Sequence, residues 1–182
     1  MTRAVFLDRD GVINRALVRD GKPYPPRNLE ELEILPGVAE ALKRLHNAGF
    51  KLIVVTNQPD VARGTQTRAM VEEINAVLKS HLPIDEFRVC YHDNADQCSC
   101  RKPAAGALLD CARKYRIDLK ASFMIGDRWC DIEAGRHAGC KTIFIDCHYA
   151  QTKHVEPDYR ACDLSGAVGW VIKQKGRLDE EG

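Results

Sequence analysis

The residues best suited to chemistry lie within the first fourteen positions. Ala4 to Asn14 read AVFLDRDGVIN, an apolar run that delivers Asp8 and Asp10 onto a turn at Gly11. Side chains of a strand repeat every second residue, so both carboxylates start out on the same side. Two acids at a strand end suit a hard cation such as Mg²⁺ and one covalent step on phosphorus. The same letters also suit a solvated turn, because Asp-Gly between apolar runs is a strong hairpin signal. Taken alone, the pair leaves both readings open.

Residues further along the chain bear on that choice. After a second apolar run come Thr56, Asn57 and Gln58, whose hydroxyl and amides can hydrogen-bond phosphate oxygens or serve as helix caps. Arg101-Lys102-Pro103 precedes a helical stretch. A lysine there can neutralise a phosphate as a point charge, and an arginine can grip its oxygens bidentately. Solvated surface is the plainer fate of such a basic pair. In Ile125-Gly126-Asp127-Arg128-Trp129-Cys130-Asp131, Gly126 permits close backbone approach and Asp127 offers a third carboxylate to Mg²⁺. Asp131, one helical turn later, supports that site through water or caps the helix. Three carboxylates and one Mg²⁺ leave a net charge of about −1, so a phosphate carrying nearly −2 needs Lys102 and neighbouring arginines to offset the repulsion.

Three of the eight cysteines, Cys90, Cys98 and Cys100, crowd around His92, while the others are scattered. Three thiolates and an imidazole make a closed tetrahedral set suited to structural Zn²⁺, with no open position for catalysis. Such an ion would tie down the loop leading into Arg101 and Lys102. Cys111, Cys130, Cys140 and Cys147 sit in or beside apolar runs and read as core thiols.

These groups need a scaffold to hold them, and the chain supplies an alternating one. Apolar runs of strand length recur near residues 4, 52, 87, 123 and 142. Stretches with helical spacing lie between them, over 37–48, 67–80, 104–116 and 129–138. Alternation of this kind predicts an α/β fold, a doubly wound, mostly parallel open sheet with ligands beyond the carboxyl ends of its strands. Asp8, Thr56 and Asp127 all fall at such ends. Residues 15–35, with Gly21-Lys22-Pro23-Tyr24-Pro25-Pro26, read as a loop near the first acid pair. No insertion is long enough for a cap domain. We expect one domain over 1–176, with the zinc loop 90–100 inserted and a frayed tail over 177–182.

Composition excludes several function classes. The 27 Lys and Arg residues nearly balance 26 Asp and Glu, which leaves no global field for nucleic acid or a membrane surface. No apolar run approaches the roughly 20 residues of a membrane span, and the N-terminus lacks the pattern of a secretory signal. A cytoplasmic, monomeric enzyme is the expectation.

The four elements, D-x-D at Asp8 and Asp10, T-N at Thr56 and Asn57, K-P at Lys102 and Pro103, and G-D-x-x-x-D ending at Asp131, resemble the four motifs of the haloacid dehalogenase superfamily of phosphatases. The resemblance spans Val5 to about Asp146. It implies that Asp8 attacks phosphorus, that Asp10 acts as acid and then base, and that Thr56 and Lys102 steady the phosphoryl group. Mg²⁺ would be held by Asp8, Asp127 and the backbone carbonyl of Asp10. The cysteine loop followed by Arg-Lys-Pro is similar to the capless, zinc-containing D-glycero-D-manno-heptose 1,7-bisphosphate phosphatases and the related histidinol-phosphate phosphatases. Val61-Ala62-Arg63-Gly64 leans toward the heptose branch. Arg101 and Arg128 would then recognise a small sugar phosphate, with Asn57, Gln58, Arg19 and Lys22 as further contacts. Where that branch usually carries Ser-Gly, this chain has Pro59-Asp60, which stiffens the turn and adds a negative charge. Removal of the 7-phosphate of the heptose bisphosphate is the leading expectation, with histidinol phosphate as the alternative substrate. A non-catalytic zinc-stabilised binding module is the alternative of another class.

Overall fold

The computed structural model describes residues 1–149 and 153–180. Its centre is a six-stranded, all-parallel sheet of β1 (Ala4–Leu7), β4 (Lys51–Asn57), β5 (Glu86–Cys90), β6 (Phe123–Gly126), β7 (Lys141–Ile145) and β8 (Tyr159–Ala161), in the order β5-β4-β1-β6-β7-β8. Among the described residues five α-helices complete it: α1 (Val38–Asn47), α2 (Arg68–His81), α3 (Gly106–Tyr115), α4 (Trp129–Ala138) and α5 (Leu164–Glu180). The order runs one way from β1 through β4 to β5 and then restarts on the other side at β6. A crevice opens at that reversal, beyond the carboxyl ends of β1 and β6.

Strand alternation divides the core between the two faces of the sheet. Val5, Leu7, Leu52, Val54 and Ile125 pack beneath α1, α2 and α5, together with Leu42, Leu45, Ile74, Leu78, Val168 and Val171. Ala4, Phe6, Ile53, Val55 and Met124 pack beneath α3 and α4, against Leu108, Cys111 and Ala134. Each fully buried Leu, Ile or Phe contributes about 1.5–3 kcal/mol. Burial on both faces is what makes the strands read as continuous apolar runs rather than alternating ones.

Three elements depart from expectation. The loop expected over 15–35 contains an antiparallel hairpin of β2 (Leu17–Arg19) and β3 (Lys22–Tyr24). Asp20 and Gly21 make its turn, both at positive φ (49° and 71°), as a two-residue hairpin connection requires. Pro23 is tolerated because the hairpin has only two strands and hence only edges. Neither β8 nor α5 was expected. The tail expected to fray from 177 is helical through Glu180, where Asp179 pairs with Arg3 and, at 2.8 Å, with Lys175 one turn earlier. Residues 181–182 lie outside the described residues. No helix among the described residues is long and apolar enough to cross a membrane.

Candidate active site

The floor of the crevice is made where β1, β6 and α4 meet. The amide of Asp8 donates to the Ile125 carbonyl at 2.9 Å, carrying the β1–β6 pairing one residue past Leu7. Gly11 then turns at φ +95°, and a Cβ there would lie 2.1 Å from Asp127 Oδ2. Only glycine lets the β1 loop pass so close to that carboxylate. Gly126 plays the matching part on β6, since a Cβ would lie 2.1 Å from Cβ of Asp131.

Lys102 reaches this floor from the loop after the cysteine cluster. Its buried Nζ donates to Asp8 Oδ1 at 2.7 Å and to the Val55 carbonyl at 2.6 Å, and forms an ion pair with Asp131 Oδ1 at 2.6 Å. The other Asp131 oxygen accepts from the backbone N–H of Arg128 at 3.0 Å. Of the two roles expected of it, support of the site through water or helix capping, Asp131 takes the cap, and it also shares Lys102 with Asp8.

Burial and crowding set the proton affinities here. Asp8 is pushed up to about 6, chiefly by desolvation, with Lys102 opposing and Asp131 and Asp10 adding repulsion. Asp127 is raised well above the usual carboxylate range by desolvation and by Asp8. Desolvation works against the charge of Lys102, but Asp131 and Asp8 outweigh it and raise its pKa above the ordinary lysine value. Carboxylate oxygens of Asp8, Asp127 and Asp131 all lie within 4.8 Å of one another. An oxygen-only, buried donor set of this kind fits Mg²⁺.

Asp10 is placed differently. Its carboxylate faces a fork from Arg9, with Nε donating to Oδ1 and Nη2 to Oδ2, both at 3.1 Å. Asn14 Nδ2 adds a bond to Oδ1 at 2.9 Å, and Gln58 Nε2 one to Oδ2 at 2.8 Å. The Asp10 side chain is thus held by Arg9, Asn14 and Gln58 and is not one of the clustered acids.

Two expected substrate contacts have protein partners of their own, although Asn57 still lines the crevice. Asn57 pairs its amide with the backbone of Lys102, accepting from Lys102 N at 3.1 Å and donating to Lys102 O at 2.9 Å. Gln58 is buried and donates to Thr56 Oγ1 as well as to Asp10, so its amide faces inward. Thr56 itself lines the crevice beside Asp8.

The wall of the crevice is built from loops. Arg101 donates to Asn94 Oδ1 at 2.8 Å and to the His92 carbonyl at 3.3 Å, so the cysteine loop orients it. Within that loop Cys90 Sγ lies 3.6 Å from His92 Nδ1 and from Cys98 Sγ, and 3.2 Å from Cys100 Sγ. Cys100 Sγ is 3.4 Å from both Cys98 Sγ and His92 Nδ1. Four soft donors this close approach the edges, about 3.7 Å, of a tetrahedron centred some 2.3 Å from each sulfur, and they fit Zn²⁺. Desolvation pushes the Cys90 thiol up to about 12. For Cys98 it acts in the same direction but is outweighed by bonds from Cys100 and the Arg101 backbone, giving about 7.

Together floor and wall enclose a cavity of about 530 Å³, lined by Asp8, Asp10, Thr56, Lys102 and Asp131 below and by Lys22, Tyr24, Asp60, Arg63, Arg101 and Arg128 around the rim. That volume suits a small-molecule ligand. Arg19 is absent from the lining. It stacks on the Tyr24 ring at 5.7 Å, while Lys22 reaches the cavity.

A model of the haloacid dehalogenase-like hydrolases matches residues 18–139. The chain belongs to that family. Among haloacid dehalogenase-like relatives, the D-glycero-beta-D-manno-heptose-1,7-bisphosphate 7-phosphatase of Helicobacter pylori strain J99 is 35% identical over 177 residues, covering 93% of this chain and 97% of its own. The D-glycero-alpha-D-manno-heptose-1,7-bisphosphate 7-phosphatase of Mycobacterium tuberculosis is 41% identical over 135 residues, covering 71% and 69%. Among solved structures, the D,D-heptose 1,7-bisphosphate phosphatase of B. bronchiseptica, complexed with magnesium and phosphate, superposes with a TM-score of 0.80 at 28% identity, covering 95% of this chain and 99% of its own. The chain is a hydrolase, and these relatives are named as phosphatases.

Arg9 is the residue that sequence reasoning passed over. An arginine set between the two aspartates, just past an apolar strand, was the available signal.

Proposed function

We propose that the cavity hydrolyses a phosphate ester of a small sugar through a phosphoaspartate on Asp8, and that the substrate is a heptose 1,7-bisphosphate cleaved at the 7-phosphate. The placement of Lys102 carries this reading. Its ammonium is bonded to Asp8 at the bottom of a cavity whose rim bears Arg101, Arg128 and Lys22. One phosphate has a cation and a nucleophile at the floor, and a second has a cationic rim above it.

In the first step an Asp8 oxygen attacks phosphorus, the bond to the sugar oxygen breaks, and Asp10 gives that oxygen its proton. In the second, Asp10 takes a proton from water, whose oxygen attacks the acyl phosphate and releases phosphate and the Asp8 carboxylate. Thr56 and Lys102 steady the phosphoryl oxygens, while Asn57 fixes the backbone of Lys102. Asp8, Asp127 and the Asp10 backbone would hold Mg²⁺, which, when bound, offsets charge on the transferring phosphoryl group. Zn²⁺ in the Cys90, His92, Cys98 and Cys100 set would be structural and keep Arg101 in place.

Histidinol phosphate fits less well. Its ammonium calls for a spare acid at the rim, and Asp60 there is already paired with Arg63 at 3.5 Å. We place the reaction in the cytoplasm, on a small phosphorylated sugar and with no nucleic acid or membrane partner.

The test is phosphate release, with Mg²⁺, from both anomers of the heptose bisphosphate, histidinol phosphate and simple hexose phosphates. Selective turnover of one heptose anomer, lost in Asp8→Asn, is expected. Release that persists in Asp8→Asn would overturn the phosphoaspartate, and preference for histidinol phosphate would overturn the substrate.

A further inference from the structure

The side chain of Arg9 is fully buried and is the largest among the fully buried residues. Strand alternation explains where it goes. Val5 and Leu7 face α1, α2 and α5, so Arg9 continues toward the same side, whereas Asp8 and Asp10 start toward the other. Beneath α2 it meets Asn75, a buried amide on a helix face otherwise formed by Val71, Ile74 and Leu78. Arg9 Nη1 donates to Asn75 Oδ1 at 2.9 Å, and Nε and Nη2 close the fork on Asp10. The backbone carbonyl of Arg9 accepts from Val12, Ile13 and Asn14 at 3.3, 2.8 and 3.2 Å, which wraps the Asp10 turn around it.

Burying a guanidinium is costly, and an apolar side chain there would pack against the same core at no such cost. The fork explains what is gained. Both oxygens of Asp10 are fixed in one plane by a rigid, bidentate partner. Asn75 in turn fixes the partner.

We infer that Arg9 is a positioning residue for Asp10, with Asn75 as its anchor, so that a helix of the outer layer sets the orientation of the acid–base group. This rests on the role of Asp10 given under the proposed function. Arg9 is fully buried and does not line the cavity, so on this reading its effect passes through the Asp10 carboxylate. Lysine in its place would keep the charge and lose the fork.

The experiment uses the full chain with Mg²⁺ and two substrates, the heptose bisphosphate and 4-nitrophenyl phosphate, whose leaving group needs no acid. Arg9→Lys should lower kcat by about 100-fold, toward the lower end of what acid–base catalysis supplies, with KM within about twofold. With 4-nitrophenyl phosphate, acid quenching should trap more protein-bound phosphate in Arg9→Lys than in the native enzyme, because only water activation is slowed. Asn75→Ala should lower kcat about fivefold, again without moving KM. In an Asp10→Asn background, Arg9→Lys should cost less than about twofold more, since groups that act as a unit are not additive.

Full additivity in that background would overturn the inference. So would native kcat in Arg9→Lys, or in Asn75→Ala should Arg9→Lys not fold. A small loss in Asp10→Asn alone would instead overturn the acid–base role of Asp10, and that of Arg9 with it. A large loss there beside an unaffected Arg9→Lys would overturn Arg9 alone.

Discussion

The floor and the wall of the cavity are held by different physics. On the floor, Asp8, Lys102, Asp127 and Asp131 sit almost wholly out of solvent, the acids at strand ends and the start of α4, and Lys102 pinned from its loop by Asp8, Asp131 and the Val55 carbonyl of β4. Around the wall, Lys22, Arg101 and Asp60 ride on short loops whose shape comes from a hairpin, a cysteine cluster and exposed ion pairs. The clearest of these pairs is Arg63 with Asp93, at 2.6 and 2.7 Å. Exposed pairs of this kind add little to stability. A rigid floor suits bond making, which tolerates little displacement, whereas a loop-built wall suits the choice of substrate. Changes to the floor should therefore act on kcat, and changes to the wall on KM and selectivity.

The largest effect belongs to the floor. Asp8→Asn should reduce kcat by about 10⁴-fold or more while leaving KM within a few fold, as expected when a nucleophile is removed. Single-turnover measurement of phosphate release checks this. A variant that loses affinity instead would erase the distinction between floor and wall.

Next comes the cysteine loop. Cys90→Ser removes one of four donors from a cluster that is directly bonded to Arg101 through His92 and Asn94. Zinc content by atomic emission should fall, and Tm should drop by about 10 °C, corresponding to a few kcal/mol in a chain of this size. KM for the bisphosphate should rise more than kcat falls. The converse pattern would mean that the loop supports the floor rather than the wall.

Arg128→Ala sharpens the comparison at a single residue. Its side chain lines the rim while its backbone N–H serves Asp131 on the floor, and alanine removes only the first. KM for the bisphosphate should rise about tenfold, the equivalent of one charge-assisted contact, with little change for a monoester lacking the second phosphate. Steady-state kinetics on the two substrates gives the answer directly.

Stability against pH probes the floor without any substrate. Asp8 holds its proton to about pH 6 in the folded chain, against an unfolded value near 3.8, and Asp127 is shifted in the same direction. Between those values the native state binds protons that the unfolded state has released. The metal-free protein should therefore lose stability as pH rises through the window from about 4 to 6. Lys102, shifted upward, contributes a constant amount until pH exceeds its unfolded value of 10.5, so it leaves this window unchanged. On the proposed site Mg²⁺ would bind ionised Asp8 and Asp127, so 10 mM should raise Tm by about 5 °C at pH 7.5 and by much less at pH 4.5. Equal shifts at both values would exclude Asp8 and Asp127 as the place where the ion acts.

How much of this was legible in the sequence follows the same division. Strand ends can be found from apolar runs, and the acids stand at or just beyond them, while Lys102 was marked by the Arg-Lys-Pro run before a helical stretch, so the floor could be read residue by residue. The cysteine set was legible because few arrangements explain three thiols around one histidine. What stayed hidden depends on where side chains turn. Asn57 and Gln58 carry the same amide whether it faces a phosphate or a neighbour, and only the packed structure directs them to Lys102 and Asp10. Arg9 lies on the opposite side of β1 from the acids by alternation, which concealed its return to Asp10. Strands β2, β3 and β8 have three residues each, too few to show a period, and α5 carries three glycines that blur its helical pattern.

The smallest effect concerns the hairpin, where two cations share one face. Arg19 and Lys22 are directly paired across β2 and β3, and directly opposed residues point to the same side of a hairpin. Sequence therefore gives no ground for separating them, yet only Lys22 reaches the cavity, while Arg19 lies on the ring of Tyr24. Lys22→Ala should raise KM for the bisphosphate about fivefold by removing a rim charge. Arg19→Ala should act only by freeing Tyr24, through a contact worth about 0.5–1 kcal/mol at an exposed site, and so change KM by no more than about fivefold. Because Tyr24 also lines the cavity, Tyr24→Ala tests the route: once the ring is gone, Arg19→Ala should have no further effect. If it does, Arg19 reaches the substrate itself, and the rim extends further along the hairpin than the lining residues show.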